Sequence, residues 1–156
     1  MPLSVSQKHG RETRMRKDDL FMKKKTMTVF VCSPYRGDVE GNVKRARGYA
    51  KFIAGCGYVP IIPHLFYPTF LSDDDAEERI LGITLGVEQM KGCDEFWMYG
   101  THISEGMAFE LEKAREFGIP VRLYDRDGNR IEPATLMIDD RCDSEYRKAV
   151  YGLRFV

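Results

Sequence analysis

The chain has 156 residues, near the usual size of one domain, and its 43% hydrophobic and 31% charged content suits a globular protein with a proper core. Its 24 basic residues balance 24 acidic ones, but residues 1–25 hold eight Lys/Arg against three acids, a net of +5 that leaves −5 on the remainder. A mildly acidic body offers no nucleic-acid face, no apolar run approaches the roughly 18 residues of a membrane span, and Cys32, Cys56, Cys93 and Cys142 lack zinc-ligand or redox-motif spacing.

Free thiols in a reducing cytoplasm are the simplest account of the cysteines. Residues 1–25 show no hydrophobic periodicity and read as a disordered basic tail, solvated rather than bound to RNA or phospholipid. They lack the apolar segment of a signal peptide, and Met22 or Met27 can serve as a start. The domain is expected over residues 26–156.

Thr28 to Ser33 is a near-continuous apolar run, the pattern of a strand buried on both faces. Pro34 to Asp38 breaks it as a loop. Asn42 is a cap candidate for a helix in which Val43, Ala46, Ala50, Ile53 and Ala54 recur at helical spacing, closed by Gly55 and Gly57. Tyr58 to Ile62 reads as a short strand stopped by Pro63. His64 to Leu71 reads as an apolar, aromatic loop, covered by a subunit interface, by a ligand, or by its own helices.

Ser72-Asp73-Asp74-Asp75 opens a second helix, with Ile80, Ile83, Val87 and Met90 as its stripe. Cys93 to Tyr99 is the third strand. A helix from Ser104 to Phe117 follows, with Met107, Leu111 and Ala114 facing the sheet. Val121 to Tyr124 is a fourth strand, and Asp127-Gly128 marks a hairpin to a return strand over Ile131 to Ile138, demoted to an edge by Pro133. Asp143 to Leu153 reads as a last helix.

This alternation predicts a single-domain α/β fold, Rossmann-like (flavodoxin-like), with a parallel sheet and helices on both faces. Ligands of such sheets bind outside the carboxyl ends of the strands. Three unusual loops, Ser33 to Asp38, Pro63 to Leu71 and Gly100 to Glu110, meet at that edge and predict one crevice.

The sequence holds neither a Gly-x-Gly-x-x-Gly after the first strand nor a P-loop, and His9, His64 and His102 are too scattered for a metal site. An anion site and a carboxylate remain. The helix start at Ser104 offers backbone N–H groups, and Gly106 allows close approach. Arg36 at the same edge can grip a phosphate through two bonds or pair with Asp38 or Glu40. Glu110 lies about 9 Å along the helix from Ser104 by helical rise. It is either a rim glutamate reaching water or a carboxylate kept for chemistry. The separation fits a nucleoside monophosphate.

Val29-Phe30-Val31-Cys32-Ser33-Pro34-Tyr35-Arg36-Gly37 and Ser104-Glu105-Gly106-Met107-Ala108-Phe109-Glu110-Leu111 together resemble the nucleoside 2-deoxyribosyltransferase-like superfamily. Within it they are similar to the nucleotide N-glycosidases and to an uncharacterised bacterial and phage branch. The similarity runs roughly from Thr28 to Asp125. It implies that Glu110 is the nucleophile at the anomeric carbon, and that Arg36 and Ser104 contact a 5′-phosphate. Ser104 stands where the nucleoside transferases carry an aspartate, which favours a monophosphate. Phe30 stands where many members carry a tyrosine that orients the glutamate, with Tyr35 as the candidate replacement. Gly86 stands where they carry a second acid, and Glu88 points to another face.

The resulting expectation is hydrolysis or transfer of the N-glycosidic bond of a nucleoside 5′-monophosphate in the cytoplasm, by a homodimer without metal or cofactor. Glu110, Asp38 and His64 are the candidate catalytic residues, with Asp38 or His64 protonating the leaving base. A nucleophile must be ionised, and the helix N-terminus is expected to keep Glu110 so near neutral pH against the opposing effect of desolvation. Ser33, Tyr35, Arg36, Gly37, Ser104, Gly106 and Met107 are the candidate substrate- and phosphate-binding residues. The alternatives are a nucleoside deoxyribosyltransferase, a nucleotide sensor without turnover, and a protein with an inert crevice.

Overall fold

The computed structural model describes Arg16 and residues 26–156. Apart from Arg16, the basic tail expected over residues 1–25 lies outside the described residues. The described residues form five strands and five α-helices. They are β1 (Thr28–Cys32), α1 (Val39–Gly55), β2 (Val59–Ile61), α2 (Pro63–Phe66), α3 (Ala76–Lys91), β3 (Glu95–Tyr99), α4 (Glu105–Phe117), β4 (Val121–Tyr124), β5 (Arg130–Ile131) and α5 (Ser144–Val150).

The sheet order is β2-β1-β3-β4-β5. β1 through β4 pair in parallel, and β5 runs antiparallel to β4. The chain leaves β1 in one direction for β2 and then returns past β1 to β3. Right-handed crossovers therefore place α1 on one face and α3 and α4 on the other. Two cores result. Val29, Val31, Trp97, Tyr99 and Tyr124 pack with Ala46 and Ile53 of α1. Phe30, Cys32, Phe96 and Met98 pack with Met90 of α3, Met107, Leu111 and Ala114 of α4, and Tyr146 and Val150 of α5. Strand alternation sorts the side chains between the faces. The α4 stripe is buried as its spacing predicts, and the helix ends at Gly118, whose φ of 66° is the left-handed conformation that glycine adopts readily.

Some local expectations need correction. Asn42 does not cap α1, because Asp38 does so through a bond from the Gly41 N–H. The His64–Leu71 segment is not a plain loop: Pro63 takes the first position of α2, and a 3₁₀ turn over Tyr67–Thr69 follows. The stripe expected on α3 is not buried as a whole. Ile80 is 61% and Ile83 44% exposed, while Gly82, Gly86 and Met90 face inward. The return strand is two residues long before Pro133 bends it into a 3₁₀ turn.

Gly86 sets how closely α3 approaches α2. A Cβ at this position would lie 3.0 Å from Pro63 Cβ and 3.1 Å from its Cγ. The pyrrolidine ring cannot turn away, so no acid fits here without moving α2. Gly48, exposed on α1, would place a Cβ in open space. We expect Gly48→Ala to stabilise by up to about 1 kcal/mol, the usual helix gain. Gly86→Ala should instead lower the melting temperature, because the clash with Pro63 outweighs that gain. Two melting curves check the pair, and a rise in both would overturn the packing role.

Candidate active site

The crevice lies where β1 and β3 diverge, at the switch point of the sheet. It measures about 700 Å³. The loop after β1, α2 with its aromatic turn, the Glu78–Gly86 stretch of α3, and the first turns of α4 form its walls. All three loops singled out by their composition therefore contribute to one cavity.

Glu110 stands at the floor. Its side chain lines the cleft and is half-buried. Burial raises its pKa from 4.5 to about 8, and a hydrogen bond from the Cys32 thiol offsets only a little of that rise. The expectation that the helix N-terminus keeps this carboxylate ionised near neutral pH is therefore corrected. Burial is the largest cause of the shift, and a pKa of about 8 leaves Glu110 largely protonated at pH 7.

Of the residues singled out from the sequence, Ser33, Tyr35, Arg36, His64, Ser104, Gly106, Met107 and Glu110 line the crevice. Ser33 is buried and its Oγ lies 2.9 Å from His64 Nε2. Burial lowers the His64 pKa to about 4, so the imidazole is neutral at pH 7. That makes it a poor acid for a leaving base. Asp38, the other candidate acid, does not line the cavity. It caps α1, with its side chain 70% exposed and 3.8 Å from Arg45. Gly37 also lies off the cavity wall, and its φ of 92° turns the chain into α1.

Ser104 caps α4 by accepting the Met107 N–H at 3.3 Å. Met107 therefore brings a core side chain, only 2% exposed, and a backbone N–H already engaged. Gly106 is exposed, and a Cβ there would meet nothing within 4 Å, so the space beside the first turn is open. Arg36 pairs with neither Asp38 nor Glu40. Its Nε lies 3.1 Å from Asp73 Oδ2, across the mouth of the crevice.

Three residues gain roles that sequence pattern does not signal. Asn42 is buried, and its amide donates to the carbonyls of Tyr35 and Arg36 at 3.0 and 3.2 Å while its oxygen accepts from Arg45. It thus fixes the backbone that carries Arg36. Asp73 reads in sequence only as a helix-start acid. Cys32 reads as a strand residue, although period-two alternation already puts it on the same sheet face as Phe30. Phe30 itself stacks on Phe96, with ring centroids 5.4 Å apart. Tyr35 lies near His64, 6.1 Å between rings, and its pKa is raised by burial first and then by the nearby Asp73 and Asp74 carboxylates. Glu88 pairs with Lys91 on the outer side of α3, as its spacing predicts. Among the described residues, no three potential metal ligands cluster, and no helix is long and apolar enough to cross a membrane.

A family model described as a domain of unknown function (DUF7768) matches residues 27–124, which span every wall of the crevice. The fold is similar to that of a 2-deoxyribosyltransferase from the psychrotolerant bacterium Bacillus psychrosaccharolyticus. That match has a TM-score of 0.55 and 19% identity, and covers 80% of this chain and 90% of the other. It is also similar to a conserved protein from Enterococcus faecalis V583, with a TM-score of 0.51 and 15% identity over 85% and 91% of the two chains. No curated protein matches the chain. At these identities the likeness is one of fold, and the chain has the nucleoside 2-deoxyribosyltransferase-like α/β fold that its two motifs imply.

Proposed function

The chain belongs to the DUF7768 family, a domain of unknown function, and we propose that it cleaves or exchanges the N-glycosidic bond of a nucleoside 5′-monophosphate. One observation carries this reading: a half-buried glutamate, Glu110, shares a crevice with the open first turn of its own helix and with Arg36. The helix start and Arg36 suit a phosphate. Glu110 suits the sugar carbon one and a half turns deeper.

In the proposed reaction ionised Glu110 attacks C1′, the C1′–N bond breaks, and the base departs. Water or a second base then resolves the glycosyl-enzyme. Such a protein acts on a small molecule in the cytoplasm. The exposed apolar side chains beside the crevice, Phe66, Phe70, Ile80 and Ile83, suit contact between two copies of the chain.

Incubation with a panel of nucleosides and monophosphates, followed by chromatography for free base, tests the proposal. Base released from a monophosphate supports it, and release from nucleosides alone moves the assignment to a nucleoside deoxyribosyltransferase. Binding without release at any pH supports the second reading, a nucleotide sensor. That reading is favoured by the protonated state of Glu110 at neutral pH and by the glycine, in place of an acid, at position 86.

Arg36→Lys keeps the charge and loses the planar fork. We expect monophosphate binding to weaken by roughly tenfold or more, with little change for nucleosides. Asp73→Asn releases the guanidinium from its intramolecular partner and should tighten monophosphate binding about severalfold, a modest gain because the pair is exposed. Calorimetric titrations with both ligand classes measure this. Equal losses for both classes in Arg36→Lys would remove Arg36 from the phosphate role.

A further inference from the structure

Arg36 sits on a loop whose backbone is tied back to α1. Asn42, on the first turn of that helix and only 8% exposed, donates from Nδ2 to the carbonyl oxygens of Tyr35 at 3.0 Å and Arg36 at 3.2 Å. Its Oδ1 accepts from Arg45 Nη2 at 2.8 Å. An arginine can only donate, so this bond fixes which end of the amide faces the loop. Both amide hydrogens then go to the two carbonyls. Asp38 lies 3.8 Å from Arg45 and caps α1 through the Gly41 N–H, which completes the chain of contacts.

In a trans peptide the C=O and the following N–H point in opposite directions, and the described peptides are all trans. Holding the Tyr35 and Arg36 oxygens against α1 therefore turns the Arg36 and Gly37 N–H groups away from it. Among the described residues neither N–H donates to another group. Successive free N–H groups in a turn attract an anion, whereas carbonyl oxygens on that side repel one. Arg36 itself lines the crevice, with its guanidinium at the mouth.

We propose that Asn42 is the positioning residue for anion binding at the mouth of the crevice: it keeps the two carbonyl oxygens off the ligand and presents the Arg36 and Gly37 N–H groups beside the guanidinium. Asn42 does not touch the ligand in this role. Arg45 acts one step further back, by holding the amide in the orientation that donates to both carbonyls. The arrangement serves the phosphate end alone, so the sugar and base do not sense it. The proposal rests on the reading of the ligand as a nucleoside monophosphate.

Calorimetric titration of the full-length protein with a monophosphate and with its parent nucleoside tests this. Asn42→Asp keeps the shape, removes both donors and sets a carboxylate against the carbonyls. It should weaken monophosphate binding by about tenfold or more, and nucleoside binding by less than about twofold. Arg45→Met leaves the Asn42 donors in place and should give a smaller loss, about threefold, again confined to the monophosphate. A general loosening of the fold weakens both ligand classes alike. Equal losses for the two classes, or no loss in Asn42→Asp, overturn the proposal.

If Asn42→Asp fails to fold, the amide resonances of the wild type decide. Saturation with methyl phosphate should move the Arg36 and Gly37 amide protons downfield, as donation to an anion does, and the shift should shrink in Arg45→Met. Amide protons that stay in place while the anion binds overturn the proposal, as does a wild type that binds neither methyl phosphate nor the monophosphate. Anion binding with these signatures, alongside a substrate panel that yields no base, overturns the N-glycosidic reading instead and supports the role of Asn42.

Discussion

Glu110→Gln should abolish base release, by roughly a thousandfold or more, as removal of a covalent nucleophile does, and should still bind nucleotide. The amide cannot attack C1′, yet it matches the size of the protonated acid that prevails at neutral pH. The proposed phosphate grip at Arg36 and the first turn of α4 is left in place. Wild-type kcat/KM should itself climb about tenfold per pH unit until Glu110 ionises near pH 8, because only the ionised fraction attacks. Variant and wild type are therefore best compared at about pH 9, by chromatography of released base and by a binding titration. Release from Glu110→Gln at the wild-type rate would remove the nucleophile assignment. A wild-type rate that is flat between pH 6 and 9 would remove the ionisation argument.

Residue periodicity makes the sheet-forming elements legible. β4 falls on Val121–Tyr124 as its pattern predicts, and the Met107–Leu111–Ala114 stripe of α4 is buried with Ser104 as its cap. The convergence of three odd loops on one edge is legible too, because parallel strands bring their carboxyl ends together whatever the side chains do. Apolar spacing fails where it has nothing to register. α3 turns Gly82 and Gly86 inward, and glycine carries no hydrophobic signal, so Ile80 and Ile83 look like the buried stripe.

The start of α1 offers two capping side chains four residues apart, and local sequence does not say which one the Gly37 turn selects. Arg36 finds its partner in Asp73, 37 positions away across the crevice. The charge on Glu110 depends on its burial in the folded chain, a tertiary quantity, whereas the opposing helix-terminus effect is local and visible in sequence. The same divide explains Cys32: its face is readable, but not its contact.

The pH dependence of folding stability should isolate Glu110 even if no substrate is ever found. In the folded chain its pKa is about 8, against 4.5 ordinarily. Between those values the folded state holds a proton that the unfolded state has lost, so stability falls as pH rises. His64 acts with the opposite sign, because its folded pKa of about 4 lies below the usual 6.5. Over that interval the unfolded state holds the extra proton, and stability rises with pH. The two slopes oppose each other between about pH 4.5 and 6.5, giving these groups a flat joint contribution there, and the Glu110 decline stands alone from there to about pH 8. Glu110→Gln removes only the Glu110 slope. Relative to wild type the variant should gain little at pH 4.5 and progressively more up to pH 8. The gain should reach on the order of 3 kcal/mol, at about 1.4 kcal/mol for each pH unit between the unfolded and folded values, discounted for the part of the side chain open to the cleft. In a chain of this size that is a difference in melting temperature of roughly 5–10 °C. Thermal melts of both proteins at half-unit intervals measure it. An offset between the two that is the same at pH 5 and pH 9 would mean that Glu110 is ionised in the folded protein throughout, and that its burial does not control its charge.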